Sequence, residues 1–209
     1  MTVLNSTGTA LVYSTFLGST ADDWGQGIAA DASGGAYVTG QTSGAYPTTA
    51  GAWDRTRSGD DCFVTKLDPS GASLAYSTYF GGGTDEIGYA ISLWGQRACV
   101  TGYTGSTNLY CTADAYQSQH AGSWDAFVCI LNEAGSGVLY STYIGGSGLD
   151  IGYGISVNGQ ALSVAGWTVD SLKLPVYRAL DATLGGSQDA WVLKLDLRER
   201  VATVTTVPA

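Results

Sequence analysis

The chain has 209 residues, 44% of them hydrophobic, which suits one or two domains with a proper core. Nine Lys and Arg stand against 18 Asp and Glu, a net charge of −9, and this excludes nucleic acid and anionic membrane as partners, because both are held by clustered basic side chains. No apolar run approaches the roughly 18 residues of a membrane span, so no membrane insertion is expected; "MTVLNSTGTA" shows neither the basic start nor the apolar stretch of a signal peptide.

In chain order, the opening "TVLNSTGTALVYSTF" reads as the end of one strand, a turn and a second strand. A Gly- and acid-rich turn, "GSTADDWGQ", leads into "GIAAD". Ala32-Ser33-Gly34-Gly35 then closes a short hairpin onto "AYVTG". A longer loop holding "YPTTAGAW" precedes the strand "CFVTKL". Asp68-Pro69-Ser70-Gly71 has Pro and Gly where a type I turn wants them, and it returns the chain along "LAYSTYF". Each strand is a short run rich in Tyr, Val, Ile, Phe and Thr bounded by turn formers. No stretch has sustained apolar spacing of three and four, so helices are expected to be negligible.

The pattern then repeats. "LVYSTFLG" returns as "LAYSTYFG" and "VLYSTYIG", with Tyr13, Tyr76 and Tyr140 spaced 63 and 64 residues apart. Asp61, Asp125 and Asp189 head "DCFVTKLD", "DAFVCILN" and "DAWVLKLD" at intervals of 64. Four segments held in register make an internal repeat. The units run approximately over 19–81, 82–145 and 146–207, with 1–18 as a leading terminal strand. In "FVTKL", "FVCIL" and "WVLKL" both parities carry apolar groups, so both faces of each sheet are expected to be covered. Four-stranded meanders covered on both sides describe the blades of an all-β propeller; a solenoid, with shorter repeats and no meander, is the competing architecture.

The combination of "YST(Y/F)-x-GG", "G(Y)GI", "AYVTG", "(Y)PTTAGA(W/Y)" and "DAFVTKL" resembles the SBBP-type β-propeller repeat of bacterial, mostly surface or secreted, proteins. The resemblance runs from about Leu4 to Leu195 in three copies. The first is closest, and the third departs at "ALSVAGWTVDSLKLPVYRAL". It implies the fold and an extracellular or cell-surface location. It implies no general catalytic activity, so it supplies no site residues.

Three four-stranded blades are too few for a ring, since propellers have about four to eight. An open arc would leave two apolar blade faces in water. A homodimer giving six blades by closed symmetry is the economical solution; a longer chain, or a different propeller-bearing chain, are the alternatives. Either Leu11–Leu17 or Val201–Val207 is expected to pair outside its own blade, because one fourth strand is surplus.

Chemistry-bearing residues are few. The acidic turns Asp22-Asp23, Asp85-Glu86 and Leu149-Asp150 look like paired carboxylates, but by their repetition they, and the Asp61, Asp125 and Asp189 series, read as turn carboxylates accepting backbone N–H groups. No calcium-loop spacing, phosphate loop or nucleophile elbow occurs, and no cofactor or metal is expected. His120, where the other copies have Arg57 and Gly185, reads as a solvent-exposed loop residue. Cys62, Cys99, Cys111 and Cys129 lack zinc-site spacing; two disulfides, in any of three connectivities, and free buried thiols both fit. Trp191 aligns with Phe63 and Phe127 and reads as core. Trp24, Trp53, Trp94, Tyr116, Trp124 and Trp167 depart from the repeat or sit in or near loops, and are the candidates for ligand stacking. A neutral surface rich in Gly, Ser, Thr and Asn, with such rings, suits glycan; packing between blades is the competing account of each ring. The function that follows is a non-enzymatic recognition or adhesion module. A structural subunit of a surface layer, filament or virion is the alternative, and a glycoside hydrolase or lyase is the third reading.

Overall fold

Short runs of β-branched and aromatic residues, cut at regular intervals by Gly, Pro and Asp, leave the chain little choice but strands joined by tight turns. The structure is a computed structural model that describes residues 1–169 and 185–198. Its strands are β1 (Thr2–Leu4), β2 (Leu11–Ser14), β3 (Asp23–Ala30), β4 (Ala36–Thr42), β5 (Asp61–Leu67), β6 (Leu74–Phe80), β7 (Glu86–Trp94), β8 (Arg97–Thr104), β9 (Asp125–Leu131), β10 (Val138–Ile144), β11 (Asp150–Asn158), β12 (Ala161–Thr168) and β13 (Asp189–Asp196). They form antiparallel sheets in the orders β1-β2, β3-β4-β5-β6, β7-β8-β9-β10 and, among the described residues, β11-β12-β13. The expected meander is therefore present, complete in two units. The expected pairing of Val201–Val207 lies outside the described residues, and β2 pairs with β1.

The sheets stack face to face. Cys62 and Val64 of the first sheet and Ile91, Val100 and Phe127 of the second share one buried cluster. Val128 and Ile130 of the second sheet and Leu162, Val164 and Trp191 of the third share another. Strand β9 is buried along its whole length, whereas β13 alternates between covered and exposed. Trp191 is core, as its alignment implied. All four cysteines are free; burial raises the Cys62 and Cys99 thiols to about 12, so they behave as small apolar side chains.

The "YST" phrase has a double role. Its Tyr reaches across to the hairpin turn of the next sheet: Tyr13 lies over Gly71 and Tyr76 over Gly135. Its Ser and Thr hold the long loop of their own sheet. The Thr49 N–H donates to the Ser77 carbonyl (3.0 Å), the Asp54 N–H to Thr78 Oγ1 (2.9 Å) and the Tyr79 N–H to the Asp54 carbonyl (3.1 Å). In the second sheet Thr112, Gln117 and Tyr143 repeat these bonds with Ser141 and Thr142. The loop thus occupies the free edge of β6 and of β10, which would otherwise invite pairing with another chain.

Gly8, Gly71 and Gly135 occupy the same turn position, all with φ near +65° (70°, 70° and 64°). A Cβ on Gly135 would enter the Tyr76 ring, whereas one on Gly8 meets nothing within 4 Å. Both Gly8→Ala and Gly135→Ala incur the backbone cost of a left-handed residue, about 1–3 kcal/mol. Only Gly135→Ala also breaks the contact between sheets, and its loss of stability in urea unfolding should be the larger; equal losses would show that the Tyr76 contact contributes nothing.

Candidate functional site

The first and third strands of every sheet run in the same direction, so their leading residues gather at one end of the stack. Here two carboxylates meet at each seam between sheets. Asp61 opens β5 and Glu86 opens β7, one on either side of the first seam; Asp125 and Asp150 repeat the arrangement at the second. The Glu86 N–H donates to the Asp60 carbonyl (2.7 Å) and the Asp150 N–H to the Trp124 carbonyl (2.8 Å), stitching the sheets together.

Each carboxylate accepts local backbone N–H groups, as the turn reading required. Ser58 N–H donates to Asp61 (3.0 Å), Gly82 N–H to Glu86 (2.7 Å), Ala121 N–H to Asp125 (2.9 Å) and Gly146 N–H to Asp150 (2.7 Å). Asp23 likewise accepts from Ser19 (2.5 Å), and Asp189 from Gly185 (2.8 Å). What single turns did not reveal is the convergence. A Cβ on Gly81 would stand 2.6 Å from Glu86 Oε2 and 2.7 Å from Asp61 Oδ1, and one on Gly145 would stand 2.6 Å from Asp125 Oδ1 and 2.9 Å from Asp150 Oδ2. Glycine follows "YSTYF" and "YSTYI" because two acidic groups fill the space beside it.

Burial dominates the electrostatics of these pairs. It raises the Asp61 carboxyl to about 7, with Glu86 adding repulsion and the Ser58 N–H opposing. It also raises Glu86 against the hydrogen bonds from Ser106, Thr104 and Gly82, and raises Asp125 against those from Ala121 and Gly122. His120 stands beside this second pair. It is half-buried, with its ring edge-on to Tyr143 at 5.7 Å, and its proximity opposes the rise of the Asp125 carboxyl, so it is not the solvent-exposed loop residue that the sequence suggested. The misreading arose because the contact comes from β10, more than 20 residues away.

The six stacking candidates are dispersed. Trp53 packs on Tyr110 of the next unit's loop, centroids 4.9 Å apart, and its backbone N–H donates to the Gly135 carbonyl (2.9 Å). Tyr116 is exposed on the equivalent loop of the second unit. Trp94 and Trp167 stand near strand ends: Trp94 ends β7 with the Arg97 guanidinium 4.8 Å over its ring, and Trp167 of β12 pairs with Ile151 of β11. Trp24 lies in β3 and is exposed.

Trp124 alone joins an aromatic row. Its ring meets Tyr103 edge-on at 4.8 Å, Tyr103 meets Tyr89 at 5.7 Å, and Tyr89 meets Tyr153 of the third sheet at 4.8 Å. Tyr89 and Tyr153 are the extra residues of β-bulges, each falling between two glycines or a Gly and Ala where the pairing register shifts; Gln26 fills the same place in β3. A bulge re-aims its side chain away from the regular alternation, which is how Tyr153 remains 48% exposed on a strand with buried neighbours. Burial, then the adjoining phenols of Tyr103 and Tyr153, push the Tyr89 hydroxyl to about 12, so it stays a neutral donor. These tyrosines conform to the repeat, and for that reason they were not among the candidates; the change from "WGQG" to "IGYA" and "IGYG" was the available signal.

A carboxyl whose pKa is higher in the folded protein than in the unfolded chain (about 4) makes folding take up a proton. Stability then declines as pH rises from about 4 toward 7. Asp61→Asn keeps an acceptor for Ser58 and removes this titration. Its urea midpoint should fall less steeply over that range than that of the parent chain, and parallel pH profiles would rule out a protonated Asp61.

No curated protein matches the chain. Residues 12–47, from the first "YST" phrase through β3 and β4 into the loop that follows, match the family model of the SBBP β-propeller repeat. The matched segment folds as the last residues of β2, the acidic turn and the hairpin β3–β4, and the sheets that follow are built on the same antiparallel plan.

Proposed function

We propose that the chain is a non-enzymatic β-propeller recognition module, working outside the cell or at its surface, that binds carbohydrate on the row Trp124–Tyr103–Tyr89–Tyr153. The row carries the reading. Its rings are set by strands and bulges and are in mutual contact, and the row ends in a half-exposed tyrosine at the β11 bulge. Rigid aromatic faces with a polar tip suit a ligand that stacks and hydrogen-bonds without needing charge, and a net charge of −9 disfavours polyanions. Trp53, by contrast, is engaged with Tyr110 between adjoining loops.

A structural subunit is the second reading, favoured by the apolar end faces described below. A glycan array followed by titration separates the two. Tyr153→Ala and Trp124→Ala should each weaken binding of the selected neutral oligosaccharide about tenfold or more, equivalent to ~1.4 kcal/mol, while Trp53→Ala leaves it within twofold. A folded chain giving no sugar-dependent signal would eliminate the recognition reading in favour of the structural one.

A further inference from the structure

The joint between sheets has two halves, and the chain makes it twice. The forward half comes from the third strand: Cys62 and Val64 in the first sheet, Ala126 and Val128 in the second. The receiving half comes from the first strand of the next sheet: Gly88 and Ile91, then Gly152 and Ile155. Val64 and Val128 are 0% exposed, and Ile91 is 7% exposed. Among the described residues, the third sheet and the first sheet, which lies under the hairpin β1–β2, carry the same halves exposed. Val192, the third member of the valine series, is 78% exposed beside exposed Ala190, and Ile28, the first of the isoleucine series, is 63% exposed beside exposed Gly25. A cavity of about 380 Å³ opens beside Gly25 and Ile28, under the hairpin β1–β2.

We propose that a second copy of this chain docks on both faces and closes a ring, the third sheet of each copy packing on the first sheet of its partner. Each exposed half matches the other, not itself, so one symmetric pair satisfies both faces at once with the joint already used inside the chain. Two copies bring three such sheets each, giving about six blades, within the usual four to eight of a closed propeller. The fit also holds in detail. A Cβ on Gly88 would stand 2.7 Å from Cys62 Sγ, so the joint demands a small residue there. Gly25 supplies it, and opposite it the Cys62 position is filled by Ala190.

This closure stands apart from carbohydrate binding, and its test reads mass and cross-links alone. Sedimentation equilibrium of the full chain should give twice 21.6 kDa; a mass of one chain, or a ladder of larger open assemblies, overturns the proposal. The double variant Gly25→Cys/Ala190→Cys should form a covalent dimer under mild oxidation, with the peptides holding positions 25 and 190 joined between differently isotope-labelled chains. Each single variant should not. A Cβ at Gly25 meets only Val38, at 3.7 Å, so the substitution is tolerated locally. Cross-linking confined to one chain would also overturn the proposal. As a check independent of cysteine chemistry, Ile28→Asp and Val192→Asp should each yield a monomer with unchanged strand content, and a dimer that survives both would place the interface elsewhere.

Discussion

A strand apolar on both parities makes a sheet that water cannot solvate on either side. That constraint governs this protein. "DAFVCIL" in β9 is buried throughout because it lies between two other sheets, whereas its counterpart "DAWVLKL" in β13 leaves Ala190, Val192 and Lys194 exposed. The sequence repeats, so each sheet needs a neighbour on both faces and offers the same two faces to it. Stacking is the only arrangement that satisfies the interior copies, and it transfers the unsatisfied surface to the two ends.

The repeated phrases are the hardware of that stacking. Tyr13 and Tyr76 lie over a glycine in the next hairpin, so a residue in one sheet fixes the turn of another. Ser77–Thr78 and Ser141–Thr142 bind the long loop against the outer strand and close its edge. At the opposite side of each seam, buried carboxylates answer backbone N–H groups while crowding the glycine between them. Burial with a partner of like charge raises the Asp61 carboxyl to about 7, which makes the seams the acid-favoured part of the fold. The aromatic row begins at such a seam, and strand geometry holds it where a loop could not.

The strands and hairpins were legible because their causes are local. Turn residues such as Asp68-Pro69-Ser70-Gly71 and runs such as "AYVTG" act within a few positions, and the Gly71 N–H closes onto the Asp68 carbonyl at 3.0 Å as the turn requires. The repeat made the stacking legible too, since a position apolar in every copy has the same neighbour in every copy. What escaped was non-local within or between units. His120 was misplaced because Tyr143 covers it. Asp61 and Glu86 were each read as a turn residue and not as a pair. Tyr89 and Tyr153 were passed over because only rings that depart from the repeat or sit in or near loops were taken as candidates, whereas a bulge turns a conforming residue outward. Trp94 and Trp167, read as lying in or near loops, stand at the ends of strands β7 and β12.

The account turns on whether the outermost faces are covered in solution as the inner ones are. Strands β3 and β7 hold the same place in their sheets, each paired along one edge only, so they differ chiefly in what lies against Ile28 and Ile91. Amide hydrogen exchange on the intact chain compares them directly. If a second copy closes the ring, the amides of residues 24–30 should be protected to within about tenfold of those of residues 87–93. Exchange in β3 at the rate of an uncovered edge, with β7 still protected, would contradict the account.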